Sequence, residues 1–223
     1  MKYSQFCPVA KATEVLGDRW TFLIVREILM GASRFSELQR GLGSISTAVL
    51  TERLRSMADN GLIVRRKMTG KRGYEYFPTP ACKELLPIIV SLGEWGMRWA
   101  KDNLVDEDYD VELLMLFLER SVIRERLPGP QTILQFEFSD LKHMRLWWLV
   151  VNENTVEVCE KNPGYDIDVY FTSTVRVMSD VWLGHRTYKD AISADELTIV
   201  GERALTRTVS KWLSCTTFSQ AGA

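Results

Sequence analysis

The chain has 223 residues, 46% apolar and 26% charged, with a formal net charge of −1. That length allows two domains, and the composition is that of a folded protein rather than a disordered one. No apolar run approaches the roughly 20 residues of a membrane span, and no apolar stretch follows Met1-Lys2-Tyr3-Ser4-Gln5 to make a signal peptide, so a cytoplasmic protein with no membrane partner is expected.

The near-neutral total hides an asymmetry. Residues 1–104 carry 16 basic and 10 acidic side chains, whereas residues 105–223 carry 12 and 19. Cys7, Cys82, Cys159 and Cys215 lie far apart with no C-x-x-C pair, which suggests neither a zinc site nor a disulfide framework. His143 and His185 are the only histidines, and neither stands in a catalytic or metal-binding motif. No enzyme, metal or cofactor is expected.

Taken in order, Cys7-Pro8 opens a first helix at a position where the missing proline N–H costs nothing. Val9, Ala12, Thr13 and Leu16 follow on one side until Gly17 ends it. Asp18 is expected to cap a second helix, Arg19 to Met30, in which Trp20, Leu23, Ile24 and Ile28 recur at helical spacing and read as core. A short amphipathic helix, Phe35 to Leu42, and a Gly-containing turn lead to Ser46, which has the side chain of an N-cap for a helix from Thr47 to Asn60. Leu50, Leu54 and Met57 share one face of that helix, leaving Ala48, Thr51, Glu52 and Arg55 on the opposite one. Asn60-Gly61 supplies a left-handed stop, and strand Leu62 to Lys67 begins at once. It forms a hairpin with Tyr74 to Phe77 across Met68-Thr69-Gly70-Lys71-Arg72-Gly73.

That order of elements is a winged helix-turn-helix. Between Arg34 and Arg72 nine basic side chains face three acidic ones, an excess suited to a phosphate backbone. Double-stranded DNA is therefore the expected partner, with Arg34, Ser46, Thr47, Ala48, Thr51, Glu52, Arg55, Lys67, Lys71 and Arg72 as candidate contacts. After the hairpin, Thr79-Pro80 starts a long helix holding Leu85, Ile88, Ile89, Leu92, Trp95, Met97 and Trp99, more apolar surface than one small domain needs. Its spare face is expected to meet a second subunit in a homodimer, the alternative being the second domain of the same chain.

The stretch from Cys7-Pro8 through Gly17-Asp18-Arg19-Trp20, Arg34-Phe35-Ser36-Glu37-Leu38, Ile45-Ser46, Arg53-Leu54 and Asp59-Asn60-Gly61-Leu62 to Tyr76–Pro80 resembles the HxlR-type family of transcription regulators. The resemblance covers nearly all of residues 6–99. It implies a DNA-binding dimer built through the first and last helices, and it places Cys7 where some members sense oxidants or electrophiles. A cysteine at a helix N-terminus also lies where the helix dipole favours a thiolate.

Beyond residue 104 the chain departs from that family's usual extent. An acidic linker leads to a helix Val111 to Arg124 and a break at Leu127-Pro128-Gly129-Pro130. Strands Ile133–Ser139, Arg145–Asn152, Thr155–Glu160 and Asp166–Phe171 follow at hairpin-like spacing. Then come helices Thr174–Leu183 and Arg203–Ser214, separated by Tyr188–Ala194 and a short strand Leu197–Val200. The expected fold is α+β: a winged helix-turn-helix domain, 1–104, followed by an α/β sandwich-like domain, 105–223, with a mainly antiparallel sheet. The order from Asp166 onward is similar to the sterol-carrier-protein type fold, which implies an apolar tunnel for a small apolar ligand. Phe136, Met144, Trp147, Trp148, Phe171, Met178, Val181 and Trp182 are the candidate lining. Strand Arg145–Asn152 is apolar on both faces, so something must cover the second one: the helix from Val111, a second subunit or a ligand. The sequence thus reads as a dimeric transcription regulator with a ligand-sensing or assembly domain. The alternative is a protein- or lipid-binding module whose winged domain is an interaction surface.

Overall fold

The computed structural model describes residues 2–70 and 72–216. The chain divides into two compact units, Met1–Gly93 and Glu94–Ala223.

In the first unit, α1 (Pro8–Leu16), α2 (Thr21–Leu29), α3 (Phe35–Gly41) and α4 (Thr47–Asp59) precede an antiparallel hairpin of β1 (Ile63–Lys67) and β2 (Tyr74–Pro78). Of the spacing read in the second helix, Ile24 and Ile28 are buried and Trp20 packs partly buried, but Leu23 is 41% exposed and Val25 takes its place; these meet Leu38 of α3 and Leu50, Leu54 and Met57 of α4 in one core. The second helix starts two residues later than expected. Asp18 does not cap it, because its carboxylate is taken by the Arg53 guanidinium of α4. The end of α4 is closed by bonds from Gly61 N–H to Ala58 O at 3.0 Å and from Leu62 N–H to Met57 O at 2.9 Å. Gly61 supplies the positive φ of 72° that this Schellman closure requires.

The helix expected to run unbroken from Pro80 is two helices, α5 (Pro80–Lys83) and α6 (Leu86–Trp99). Pro87 explains the break: it has no N–H for Lys83, and its ring crowds that carbonyl. The boundary between the two units falls within α6.

In the second unit, α7 (Val111–Ser121) precedes β3 (Gln131–Phe138), β4 (Leu146–Asn152), β5 (Val156–Cys159) and β6 (Val169–Ser173). Then follow α8 (Val175–Leu183), α9 (Tyr188–Ser193), β7 (Thr198–Gly201), α10 (Arg203–Thr206) and α11 (Val209–Trp212). The strand order is β5-β4-β3-β6-β7. The sheet is mixed, not mainly antiparallel as expected, because β6 returns past β4 to pair parallel with β3, Phe136 opposite Phe171. Hairpin spacing had suggested that β6 would pair with β5; instead the chain from Glu160 to Asp168 crosses the sheet.

Alternation divides the sheet's two faces. Leu134, Phe136, Phe138, Trp147, Leu149, Val169 and Phe171 form one core with Met115 and Leu118 of α7, Met178 and Val181 of α8, and Trp212 of α11. On the other face Ile133, Trp148 and Val150 form a small cluster with Cys159 and Ile167 packed against it. On that face of β4, Trp148 and Val150 are packed with Ile167 of the crossing segment, while Leu146 stays exposed.

One position tests the packing of the first unit. A Cβ on Gly41 would lie 2.0 Å from Glu27 Oε2, and Glu27 is wholly buried with Arg26 Nε donating to it at 2.9 Å. Helix propensity alone would make Gly41→Ala stabilising by about 0.5–1 kcal/mol. The clash reverses the sign, and a loss of about 1–3 kcal/mol is expected in urea unfolding.

Candidate nucleic-acid interface

The first unit offers solvent a helix face and a wing. Ser46, Thr47, Ala48, Thr51, Glu52 and Arg55 are all exposed, while Leu50, Leu54 and Met57 of the same helix are at most 3% exposed. Ser46 Oγ accepts the Val49 N–H at 3.3 Å and so caps α4. Thr51 Oγ1 donates to Thr47 O at 2.7 Å. Arg55 makes no ion pair with a described residue and projects from the middle of the face.

The wing is joined to the turn before α3. Tyr76 N–H donates to Ser33 O at 2.8 Å, and Arg34 bridges Glu75, so a third short strand segment lies beside β2. This places the exposed Arg34 at the edge of the hairpin. Glu37 accepts the N–H groups of Ser33 and Arg34 at 2.9 and 3.0 Å. Burial raises the Glu37 carboxyl, but those two N–H groups outweigh it and hold its pKa below the ordinary value. The carboxylate therefore caps α3 fully above the unfolded-state pKa of about 4.3, and the cap is lost as pH falls through the lower folded value.

The cations of this region are not equivalent. Arg53 is turned inward to Asp18. The Arg65 guanidinium lies 3.4 Å from the Tyr74 ring centre, and that of Arg66 lies 5.1 Å from Phe77, so both are drawn along the strands by aromatic faces. Lys67 and Arg72 are exposed and have no ion-pair partner among the described residues; Lys71 lies outside the described residues. Sequence counting weighted all these cations equally and could not see that Arg53 anchors α4.

The remaining expected residues are placed as follows. Cys7 is half-buried and precedes α1, its carbonyl accepting the Lys11 N–H at 3.1 Å. The eight expected pocket residues lie in several settings. Phe136, Trp147, Phe171, Met178 and Val181 are packed within the main core, with Phe136 and Phe171 stacked at 4.6 Å. Trp148 is on the opposite face of the sheet, and Met144 is exposed in the turn before β4. Trp182 borders a surface cavity of about 170 Å³ with Tyr109, Leu113 and Phe117, residues not anticipated as a site. No helix among the described residues is long and apolar enough to cross a membrane.

Residues 15–104 match the HxlR-like helix-turn-helix family. The uncharacterized HTH-type transcriptional regulator YvaP of Bacillus subtilis (strain 168) is 36% identical over 109 residues, 48% of this chain and 100% of that protein. Uncharacterized HTH-type transcriptional regulators of Mycobacterium bovis and Mycobacterium tuberculosis are 40% identical over 89 residues, 40% of this chain and 56% of theirs. The chain thus spans about half the length of these mycobacterial relatives. Among solved structures, the redox regulator HypR in its oxidized form is 29% identical, with 45% of this chain and 99% of that one covered and a TM-score of 0.39.

Arg53 provides a direct check on how α4 is held. Its Nε is buried without a partner, so the Asp18 carboxylate is its main compensation. Asp18→Ala is expected to cost about 1 kcal/mol in urea unfolding, with Asp18→Asn, which keeps an acceptor, costing less.

Proposed function

Because the chain belongs to the HxlR-like helix-turn-helix family, we propose that it regulates transcription by binding double-stranded DNA as a homodimer. The observation that carries this reading is the exposed face of α4, clear of side-chain packing on one side and fixed to the core on the other. Thr47, Ala48, Thr51 and Glu52 face base edges in the major groove, and Arg55 reaches a base or a phosphate. Ser46 and Arg34 flank that face, while Lys67, Lys71 and Arg72 bring the wing to the backbone. The family's named relatives are transcriptional regulators, not enzymes.

Dimerisation is supported by what the flanking helices leave in water. α1 buries no residue, and α6 exposes a run of apolar side chains ending in Trp95, 56% exposed, and Trp99, 72% exposed. Such an exposed apolar surface calls for a partner, and a two-fold partner would present two α4 helices to two half-sites. Cys7, beside α1, would feel that contact, so oxidation of its thiol is a route by which the dimer geometry changes. In the second unit, helices on one face of a mixed sheet support the likeness to a sterol-carrier type domain taking up a small apolar ligand. Such a ligand would alter DNA affinity by binding the dimer's two geometries unequally.

Two experiments test this reading. Titrating the pure protein with DNA at several salt concentrations is expected to give a steep slope, reduced by about 2 in Lys67→Ala/Arg72→Ala, since each phosphate contact contributes about 0.9. Thr51→Ala or Glu52→Ala should instead change sequence preference at one base step, worth about 1–3 kcal/mol, with the salt slope kept. A slope near zero for the wild type would overturn the proposal. Sedimentation is expected to show a dimer that Trp95→Ser/Trp99→Ser converts largely to monomer; a monomeric wild type would refute the homodimer.

A further inference from the structure

The surface cavity of the second unit has features that a gap in packing would not need. Leu104, Tyr109, Leu113, Phe117, Trp182 and Leu183 make it almost wholly apolar, with a volume of about 170 Å³. That is below the roughly 300 Å³ at which pockets for drug-sized ligands begin, so an occupant has one or two rings. Its wall is already set. The Trp182 indole lies face to face on Phe117, with centroids 4.5 Å apart and planes 2° from parallel. Trp182 Nε1 donates to Ser121 Oγ at 2.8 Å, which fixes the indole's orientation before anything binds.

Two acidic residues are among the cavity's lining. Asp108 and Asp110 both line it and are both exposed. Asp108 Oδ2 accepts the Val105 N–H at 2.9 Å, and Asp110 Oδ1 accepts the Leu113 N–H at 2.8 Å as the cap of α7. Each carboxylate is therefore held in place by one oxygen, and the other oxygen has no partner among the described residues. Next to them, Arg176 pairs with Asp106 at 2.8 Å and lies 5.3 Å from the Tyr109 ring centre, so one cation of the chain already combines an aromatic face with a carboxylate here. An apolar aromatic wall with two fixed carboxylates in the same lining is complementary to a flat ring bearing a positive charge.

We propose that this cavity binds a small aromatic cation, a one- or two-ring amine protonated at neutral pH. The proposal rests on the reading that the second unit takes up an apolar ligand. It moves the site from the filled core to the α7–α8 surface and adds the charge that selects the ligand. Hydrophobic and stacking contacts supply most of the affinity. The exposed carboxylates supply the preference for a cation, which at such exposure is worth roughly threefold.

Three probes of one shape test it on the full chain by isothermal titration: 1-naphthylmethylammonium, 1-naphthylmethanol and 1-naphthoate. The cation is expected to bind most tightly, roughly threefold better than the alcohol, with the anion weakest. Asp108→Asn/Asp110→Asn, which keeps both capping acceptors, should bring the cation down to the alcohol's affinity. Ser179→Leu should fill the cavity and abolish binding of all three. Hydrogen exchange with the bound cation should show new protection confined to residues 104–117 and 179–183, a readout of place that does not depend on any variant folding. Equal affinity for the three probes, no binding of the cation, or protection elsewhere would overturn the proposal. DNA affinity is measured separately, so loss of the DNA-binding reading would leave these outcomes unchanged.

Discussion

The helix-turn-helix depends on one carboxylate that has no access to water. Glu27 of α2 is wholly buried, paired with Arg26 at 2.8 Å and lodged where residue 41 has no side chain. Arg26 also donates to Gly41 O at 3.0 Å, so one pair of charges joins α2 to the end of α3. Breaking one partner of such a pair leaves an uncompensated buried charge, which costs far more than the pair contributes. The contact therefore acts chiefly as a constraint on angle: α3 can dock on α2 in one way only. Asp18 and Arg53 repeat the device at the other side, joining the turn before α2 to α4. Between them the face that carries Thr51, Glu52 and Arg55 is held at a fixed orientation to the wing.

Much of the first unit was legible because its determinants are local. A stripe at i, i+4 and i+7, a serine cap and an Asn-Gly stop define α4 within fifteen or so residues, and local periodicity is what a sequence displays most clearly. The role of Asp18 was not legible, since an aspartate before a helix is a good cap by every local rule. Its actual partner is 35 positions away. The candidate interface shows the same limit. Exposure of Ser46, Thr47, Ala48, Thr51, Glu52 and Arg55 follows from the stripe, but the diversion of Arg65 and Arg66 onto Tyr74 and Phe77 depends on strand register.

In the second unit the elements were legible and their arrangement was not. Alternation puts Leu134, Phe136 and Phe138 on one face of β3, and all three are buried. Pairing of β3 with β6 joins residues 35 positions apart, Leu134 with Val169, and no pattern within either strand states that partner. Aromatic residues pose a different limit. Phe136, Trp147 and Phe171 look alike in sequence whether they fill a core or line a hollow, because both need the same apolar surface. Phe117 and Trp182, on two helices far apart in sequence, meet in a cavity wall that only the assembled unit reveals.

The parallel pairing of β3 with β6 also has a kinetic side. The first unit's sheet is a hairpin closed by a short loop, whereas the second unit's central strand must wait for β6, and its core is closed by Trp212, which meets Phe171 edge-on at 6.2 Å. Leu213 then bridges Val122, drawing together residues 91 positions apart in sequence across the same core. Nonlocal contacts of this kind fold slowly, because loop closure precedes any gain from contact. On the ribosome the helix-turn-helix can be complete while β3 and β4 still display Trp147 and Leu149 to chaperones. A message cut short after the first unit but before codon 203 would yield a chain with its helix-turn-helix intact and an aggregation-prone tail in place of the second unit.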